Sequence, residues 1–347
     1  YLSDRHSQGV FPNDEVVVRV PDPVTTDAIA VLISVNQMEQ KELICMYKEY
    51  RGKPRLQPFD KRIKQPIILN NRSGLIEGDV IAVSRMKKQR SRRIMQVQLS
   101  RRIGQIHDVG IERVIARNLF CLASDWPDHY KIEGATQESI HTEAKTRESW
   151  KNFPLVTIDG ADAKDFDDAV YAEKTKEGFR LYVAIADVSH YVAEGSDLDT
   201  EARNRANSVY MPGYVVPMLP EVLSNDLCSL RPNLDRLAMG CVMDFDSRGE
   251  RKNVRVCRVV IRSHARLTYQ SVDDMLEAKA ETPDWFKPSL AALDQLAKVL
   301  RNKRITKGTV ILTSRETEFS FHSDGVLSGI NEHIRGWSHQ LIEECML

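Results

Sequence analysis

No run of about 18 apolar residues occurs, so the chain has no segment with the reach of a membrane-spanning helix, and no secretory leader is visible. The chain opens at Tyr1 rather than Met, so a missing N-terminus could hide such a leader. Cysteine is sparse. Cys45, Cys121, Cys228, Cys241, Cys257 and Cys345 are scattered without CxxC or other metal-type spacing, which argues against a structural zinc site or a disulfide framework. They read as reduced, mostly buried thiols of a cytosolic protein. Excess charge of either sign is lacking too, with 49 basic and 49 acidic residues. Any nucleic-acid grip must therefore come from a local patch rather than the overall field. What is present is enough apolar content, 42% of 347 residues, to bury a large core across two or three domains and to exclude bulk disorder.

Helical periodicity is also scarce up to about residue 105. Short alternating runs stand there instead: Glu15 to Val20, Ala28 to Val35, Gly78 to Arg85 and Arg93 to Ser100, punctuated by Gly, Asn and Pro. They predict small antiparallel β units, plausibly barrels. Phe11 to Val20 and Leu75 to Arg85 are similar phrases, each a turn with an acidic residue entering an apolar strand. Such a repeat fits tandem OB-type barrels, a fold often used for single-stranded nucleic acid. Arg85 to Ile94 is dense in cations (Lys87, Lys88, Arg90, Arg92, Arg93) and is suited to tracking a phosphate backbone, although a solvated loop has the same composition. From Gln105 to Trp150 the pattern weakens into a connector with some helix. From Phe153 onward it becomes α plus β, with a buried strand within Arg180 to Val192, one or two strands over Val254 to Tyr269, and an amphipathic helix over Lys287 to Ile305.

Within this second part, Val156 to Val170 concentrates Asp159, Asp162, Asp165, Asp167 and Asp168 in an otherwise apolar setting. At about 4 Å and an effective dielectric near 20, each like-charge pair costs about 4 kcal/mol, so the cluster must raise some pKa values, splay into water or hold a cation. Hard divalent ions such as Mg²⁺ take such oxygen ligands. In an extended segment Asp165 and Asp167 share one face and Asp168 the other, so the backbone must loop for all to reach one centre, and Gly160 supplies freedom for that. An EF-hand fits neither the spacing nor the flanks. A phosphatase nucleophile, Asp165 or Asp167, lacks the preceding apolar run. A phosphodiester-cleaving metal site and a plain acidic surface loop both remain open at this point. His190 after "ADVS" invites a general-base reading, but a lone His at a strand end is more often structural, and it is left unassigned.

The blocks "VTIDGADAKDFDDAVY", "LYVAIADVSHYV", "EARNRANSVYMPGYVVPMLPEVLSNDLCSLRPNLDRLAM", "SHARLTY" and "LIEECM" resemble, in order, the catalytic domain of the RNase II/RNase R (RNB) exoribonuclease family, with wording nearer the bacterial RNase R branch. The resemblance implies a multidomain chain: all-β OB-type, cold-shock-like barrels followed by an incomplete α+β RNB catalytic domain. The implied segments are the C-terminal part of a first barrel at 1–36, a second barrel at 37–105, a connector at 106–152 and the N-terminal part of the catalytic domain at 153–347. It implies 3′→5′ processive hydrolysis of single-stranded RNA to nucleoside 5′-monophosphates, with one or two Mg²⁺ ions, or Mn²⁺, on Asp159, Asp165, Asp167 and Asp168. Asp162 falls where the family varies. Tyr210 matches an aromatic that packs on the 3′-terminal nucleotide; Tyr269 and one of Glu343 and Glu344 match residues that sense the ribose. The expected partner is single-stranded RNA, for a monomer in the cytoplasm with no membrane association. The family continues beyond "IEECM" into an "SPIRRY"-type block, whose Arg acts on the reacting phosphate, and a further OB-type domain. The sequence thus looks cut at both ends. A non-catalytic RNA-binding fragment and a phosphohydrolase of small esters are the rival expectations.

Overall fold

The computed structural model describes residues 10, 14–20, 29–37, 42–64, 66–69, 74–85, 94–123, 126, 137–311, 316–333 and 335–347. They belong to two compact units. The first comprises Tyr1–Ser124, Tyr210–Val216 and Phe321–Ser328, and the second Asp125–Val209, Pro217–Ser320 and Gly329–Leu347.

The first unit contains a closed five-stranded barrel. Its strands are Glu42–Tyr50, Lys53–Pro58, Ile67–Leu69, Asp79–Arg85 and Met95–Gln105, and the third neighbours the fifth, which neighbours the fourth, which closes onto the first. Period-two alternation sends Leu43, Cys45, Tyr47, Ile81, Val83, Met95 and Val97 inward. Ile44, Val80 and Ala82 point the other way and are covered by Ile111 and Ile115 of the helix Ile111–Leu119. The first hairpin reverses through Arg51 (φ 52°) and Gly52 (φ 70°), the left-handed pair that a two-residue turn matched to strand twist requires. Upstream, Glu15–Arg19 pairs antiparallel with Val31–Gln37. The strands Glu15–Arg19 and Asp79–Arg85, which fall within the two similar phrases, each pair antiparallel with the next strand in the chain, while Phe11, Pro12 and Asn13 lie outside the described residues.

The second unit is built on a seven-stranded sheet in the order Ala265–Thr268, Val156–Asp159, Asp168–Lys174, Gly178–Ala186, Asp235–Asp246, Arg251–Arg262, Glu148–Ser149. Its middle is antiparallel and its two edge pairings are parallel. Alternation along Gly178–Ala186 feeds two cores. Tyr182 and Ala184 pack with Trp150, Leu237 and Ile261 on one face. Leu181 and Val183 pack on the other against the helices Lys287–Thr306 and Trp337–Met346. The expected amphipathic helix forms, burying Leu290, Leu293, Leu296 and Ala297, and each such leucine contributes about 1.5–3 kcal/mol relative to exposure. Gly240 lets the sheet pass beneath Trp150, since a Cβ there would lie 2.5 Å from the indole. Residues 106–152 divide between the units: Ile111–Leu119 lies with the barrel, and Gln137–Ala144 and Glu148–Ser149 lie with the sheet. Among the described residues no helix is long and apolar enough to cross a membrane.

Candidate active site

Val156–Asp159 ends at Asp159, beside Thr268 on its parallel neighbour, and Asp168 opens the next strand opposite Ile185. Residues 160–167 between them form no strand, so the backbone loops as the carboxylate spacing demands. The loop is pinned at several points. The Ser229 hydroxyl donates to the Lys164 carbonyl at 2.8 Å and accepts from the Phe166 amide at 3.1 Å, and the Leu230 amide donates to the Phe166 carbonyl at 2.8 Å. Ser229 is itself fully buried, and its carbonyl accepts at 3.0 Å from the buried Arg236 guanidinium, which also pairs with Asp226 at 2.9 Å. Arg266 donates to the Gly160 carbonyl at 2.8 Å and lies over the Phe166 ring. The Ala186 amide closes the far end by donating to the Asp167 carbonyl at 2.8 Å.

Asp159, Asp167 and Asp168 are held above the ordinary carboxylate range. Burial, reinforced by the charges of Asp168 and Asp167, pushes Asp159 up to about 7 against the partial relief of Arg266. Burial and Asp167 push Asp168 up to about 6, and burial and Asp165 raise Asp167. These cross-influences place the carboxylates in one another's fields, with too little compensating positive charge. Asp159 Oδ2 is buried and has no hydrogen-bond partner, an orphaned acceptor of the kind that otherwise costs about 1–3 kcal/mol. Its donor chemistry, carboxylate oxygen throughout, suits a hard divalent cation. Among the described residues, however, no three His, Cys, Asp or Glu side chains already close around a common metal position. The turn gathers the charge without shaping a finished cage.

The remaining expected residues fall in different places. Tyr269 is the first residue of the helix Tyr269–Leu276, whose Thr268 cap and Ser271 form a reciprocal capping box. Burial and the charges of Asp159 and Asp168 raise its pKa, so its ring stands within the aspartate field. Glu343 ion-pairs with Arg335, and both also act on Tyr269. Glu344, its neighbour, is turned into the core, 1% exposed, and pairs with Arg304 at 2.8 Å. Tyr210 lies on the short strand Val209–Met211, is 67% exposed, and is counted with the first unit, whereas the aspartates, Tyr269 and Glu343 are in the second. Lys87, Lys88, Arg90, Arg92 and Arg93 lie outside the described residues. His190 ends a short 3-10 turn and packs edge-on against Tyr191.

Ser229, Arg266, Arg335 and His339 were not singled out from the sequence. Only His339 carried a usable signal, since its i,i+4 spacing from Glu343 puts both on one helical face.

The second unit is thus a two-core mixed sheet with an acidic turn between adjacent strands and a tyrosine at the neighbouring helix start. The family described as the RNB domain matches residues 147–347, and the chain belongs to that family. The sequence is 39% identical over 324 residues to Ribonuclease R of Vibrio parahaemolyticus, spanning 91% of this chain and 39% of that protein. It is 35% identical over 359 residues to Ribonuclease R of Escherichia coli, spanning 100% of this chain and 44% of that protein. The chain thus spans less than half the length of these curated relatives. Among solved structures, Mycoplasma genitalium RNase R in complex with ribose methylated single-stranded RNA superposes with a TM-score of 0.86 at 26% identity, covering 100% of this chain and 56% of that one.

Proposed function

We propose that the acidic turn is the cation-binding half of a 3′→5′ exoribonuclease centre, in a protein that hydrolyses single-stranded RNA processively to nucleoside 5′-monophosphates. The observation that carries this reading is the mutual field of Asp159, Asp167 and Asp168, with Asp159 Oδ2 buried and unpartnered. Asp159, Asp165, Asp167 and Asp168 would hold Mg²⁺, or Mn²⁺, and such an ion would neutralise charge on the scissile phosphate and lower the pKa of a water. In the balanced reaction the water oxygen bonds to phosphorus, the bond from phosphorus to the preceding 3′ oxygen breaks, and that oxygen leaves with a proton as a new chain end.

The protein groups then divide the remaining work. Ser229 and Arg266 hold the loop by its carbonyls, fixing where the carboxylates point. Tyr269 and Glu343 are suited to read the terminal ribose, because its 2′-hydroxyl offers both a donor and an acceptor to a phenol and a carboxylate. The burial of Glu344 in its pair with Arg304 favours Glu343 for that role. Tyr210, with its exposed ring, would stack on a base without regard to sequence. The five-stranded barrel, read as OB-type, and the basic stretch around Lys87 to Arg93 would grip the incoming strand through its backbone.

The test is a gel assay of the full-length protein on a 5′-labelled single-stranded oligonucleotide with Mg²⁺ and with chelator. Progressive shortening that chelator stops is the expected result. A shifted but unshortened RNA would make the protein an RNA-binding module instead, and turnover of small phosphate esters with indifference to RNA would make it a phosphohydrolase.

A further inference from the structure

Beside the acidic turn, two helices are fastened to each other at two points. The Asp273 carboxylate, on Tyr269–Leu276, accepts from the Ser338 amide at 2.8 Å and from the Ser338 hydroxyl at 2.9 Å. One turn back from Asp273 along its helix, the Tyr269 ring lies flat against the imidazole of His339, the residue after Ser338, with centroids 3.8 Å apart and planes 17° apart. The fastening is close enough to favour glycine at 336, since a Cβ there would run into the Asp273 carboxylate. Ser338 is fully buried, so this joint is part of the packed interior rather than a surface contact. Tyr269 is already fixed at its backbone by the capping box, which leaves its ring rotation to be set by what packs against it. The ring in contact with its face is that of His339.

We infer that His339, with its helix anchored through Ser338 and Asp273, is a positioning residue that holds Tyr269 in the orientation needed to recognise the 2′-hydroxyl of the terminal nucleotide. The inference rests on the proposed reading of the acidic turn as an RNA-cleaving centre. His339 contributes through its ring stack, so an aromatic of similar size keeps the orientation and a small residue loses it. Because it acts on sugar recognition, its loss narrows the preference for a ribose end over a 2′-deoxyribose end.

The experiment compares single-turnover cleavage by the full-length protein of two Mg²⁺-loaded oligonucleotides, all-RNA and RNA with a 2′-deoxyribose at the 3′-terminal nucleotide. The variants are His339→Ala, His339→Phe, Tyr269→Ala and the double His339→Ala/Tyr269→Ala. We expect His339→Ala to reduce the RNA-to-deoxy rate ratio about tenfold, His339→Phe to restore most of it, and the double variant to match Tyr269→Ala alone, the signature of residues acting as a unit. An unchanged ratio in His339→Ala, equal loss on both substrates, failure of the Phe variant to restore the ratio, or additive effects in the double variant would each overturn the inference. Failure of the underlying reading looks different: wild-type protein would then cut neither substrate.

Discussion

Asp187 and Asp168 lie near one another in the same sheet, Asp187 just after Gly178–Ala186 and Asp168 on the adjacent strand opposite Ile185, yet they titrate in opposite directions. Burial would raise both. At Asp187 it is outweighed by the Ser189 hydroxyl, which donates at 2.6 Å, and by Arg147 at 2.7 Å, both ends of that ion pair being 1% exposed. At Asp168 burial is reinforced by Asp167. The fold pairs one buried carboxylate and leaves Asp159 Oδ2 buried without a hydrogen bond, and excess charge of this kind is what a cation-binding site needs and a structural one avoids. Asp187 serves the fold, and the proposed function would draw on the charge that the acidic turn leaves in excess.

The largest expected effect breaks the paired side. Arg147→Ala removes the buried ion-pair partner of Asp187, leaving it the Ser189 hydroxyl and the longer 3.7 Å contact with Arg258, and should cost about 3–5 kcal/mol, read as a lower midpoint in urea denaturation. An intermediate effect comes from the anchor between the regions: Ser229→Ala removes both bonds to the loop and should cost about 1–3 kcal/mol and slow turnover, measured by the same denaturation and by mononucleotide release. An effect no larger than that, vanishing near pH 4, has the opposite sign. The folded pKa of Asp168, about 6, lies above its ordinary 3.8, so the folded state binds the extra proton. The metal-free protein is therefore penalised progressively as pH rises from about 4 to about 6, and fully above that. Asp168→Asn should remove this penalty, stabilising metal-free protein by about 1–3 kcal/mol at pH 8 and by nothing near pH 4. For Asp187→Asn the sign reverses: its depressed pKa adds stability above the ordinary carboxylate range, lost as pH falls through the folded value, so that substitution should destabilise at pH 8.

One side of this comparison could be read from the residues, whereas the pairing of Asp187 with Arg147 could not. The density of aspartates between two apolar runs pointed to like charges that must raise some pKa values, splay into water or hold a cation, and the raised values of Asp159, Asp167 and Asp168 agree with the first of these. The alternation in Gly178–Ala186 and the leucine stripe of Lys287–Thr306 gave elements close to those observed, because local period and burial agree there. The supports of the site were illegible for a physical reason. Ser229 lies 65 residues from the Lys164 carbonyl it binds, and Arg266 lies 106 residues from Gly160. Such contacts are made by tertiary packing, to which neither period nor composition is sensitive. The different surroundings of Glu343 and Glu344 likewise depend on the helix rotation, which turns one toward Arg335 and the other toward Arg304.

The most direct measurement uses full-length protein carrying Asp167→Asn, a change that keeps the size of the side chain and removes one charge from the turn. RNA affinity is read by gel shift, and release of nucleoside 5′-monophosphates is followed with Mg²⁺. The account predicts wild-type affinity for single-stranded RNA with mononucleotide release reduced by at least about a thousandfold, a barrier increase of about 4 kcal/mol. Turnover near the wild-type rate would contradict it.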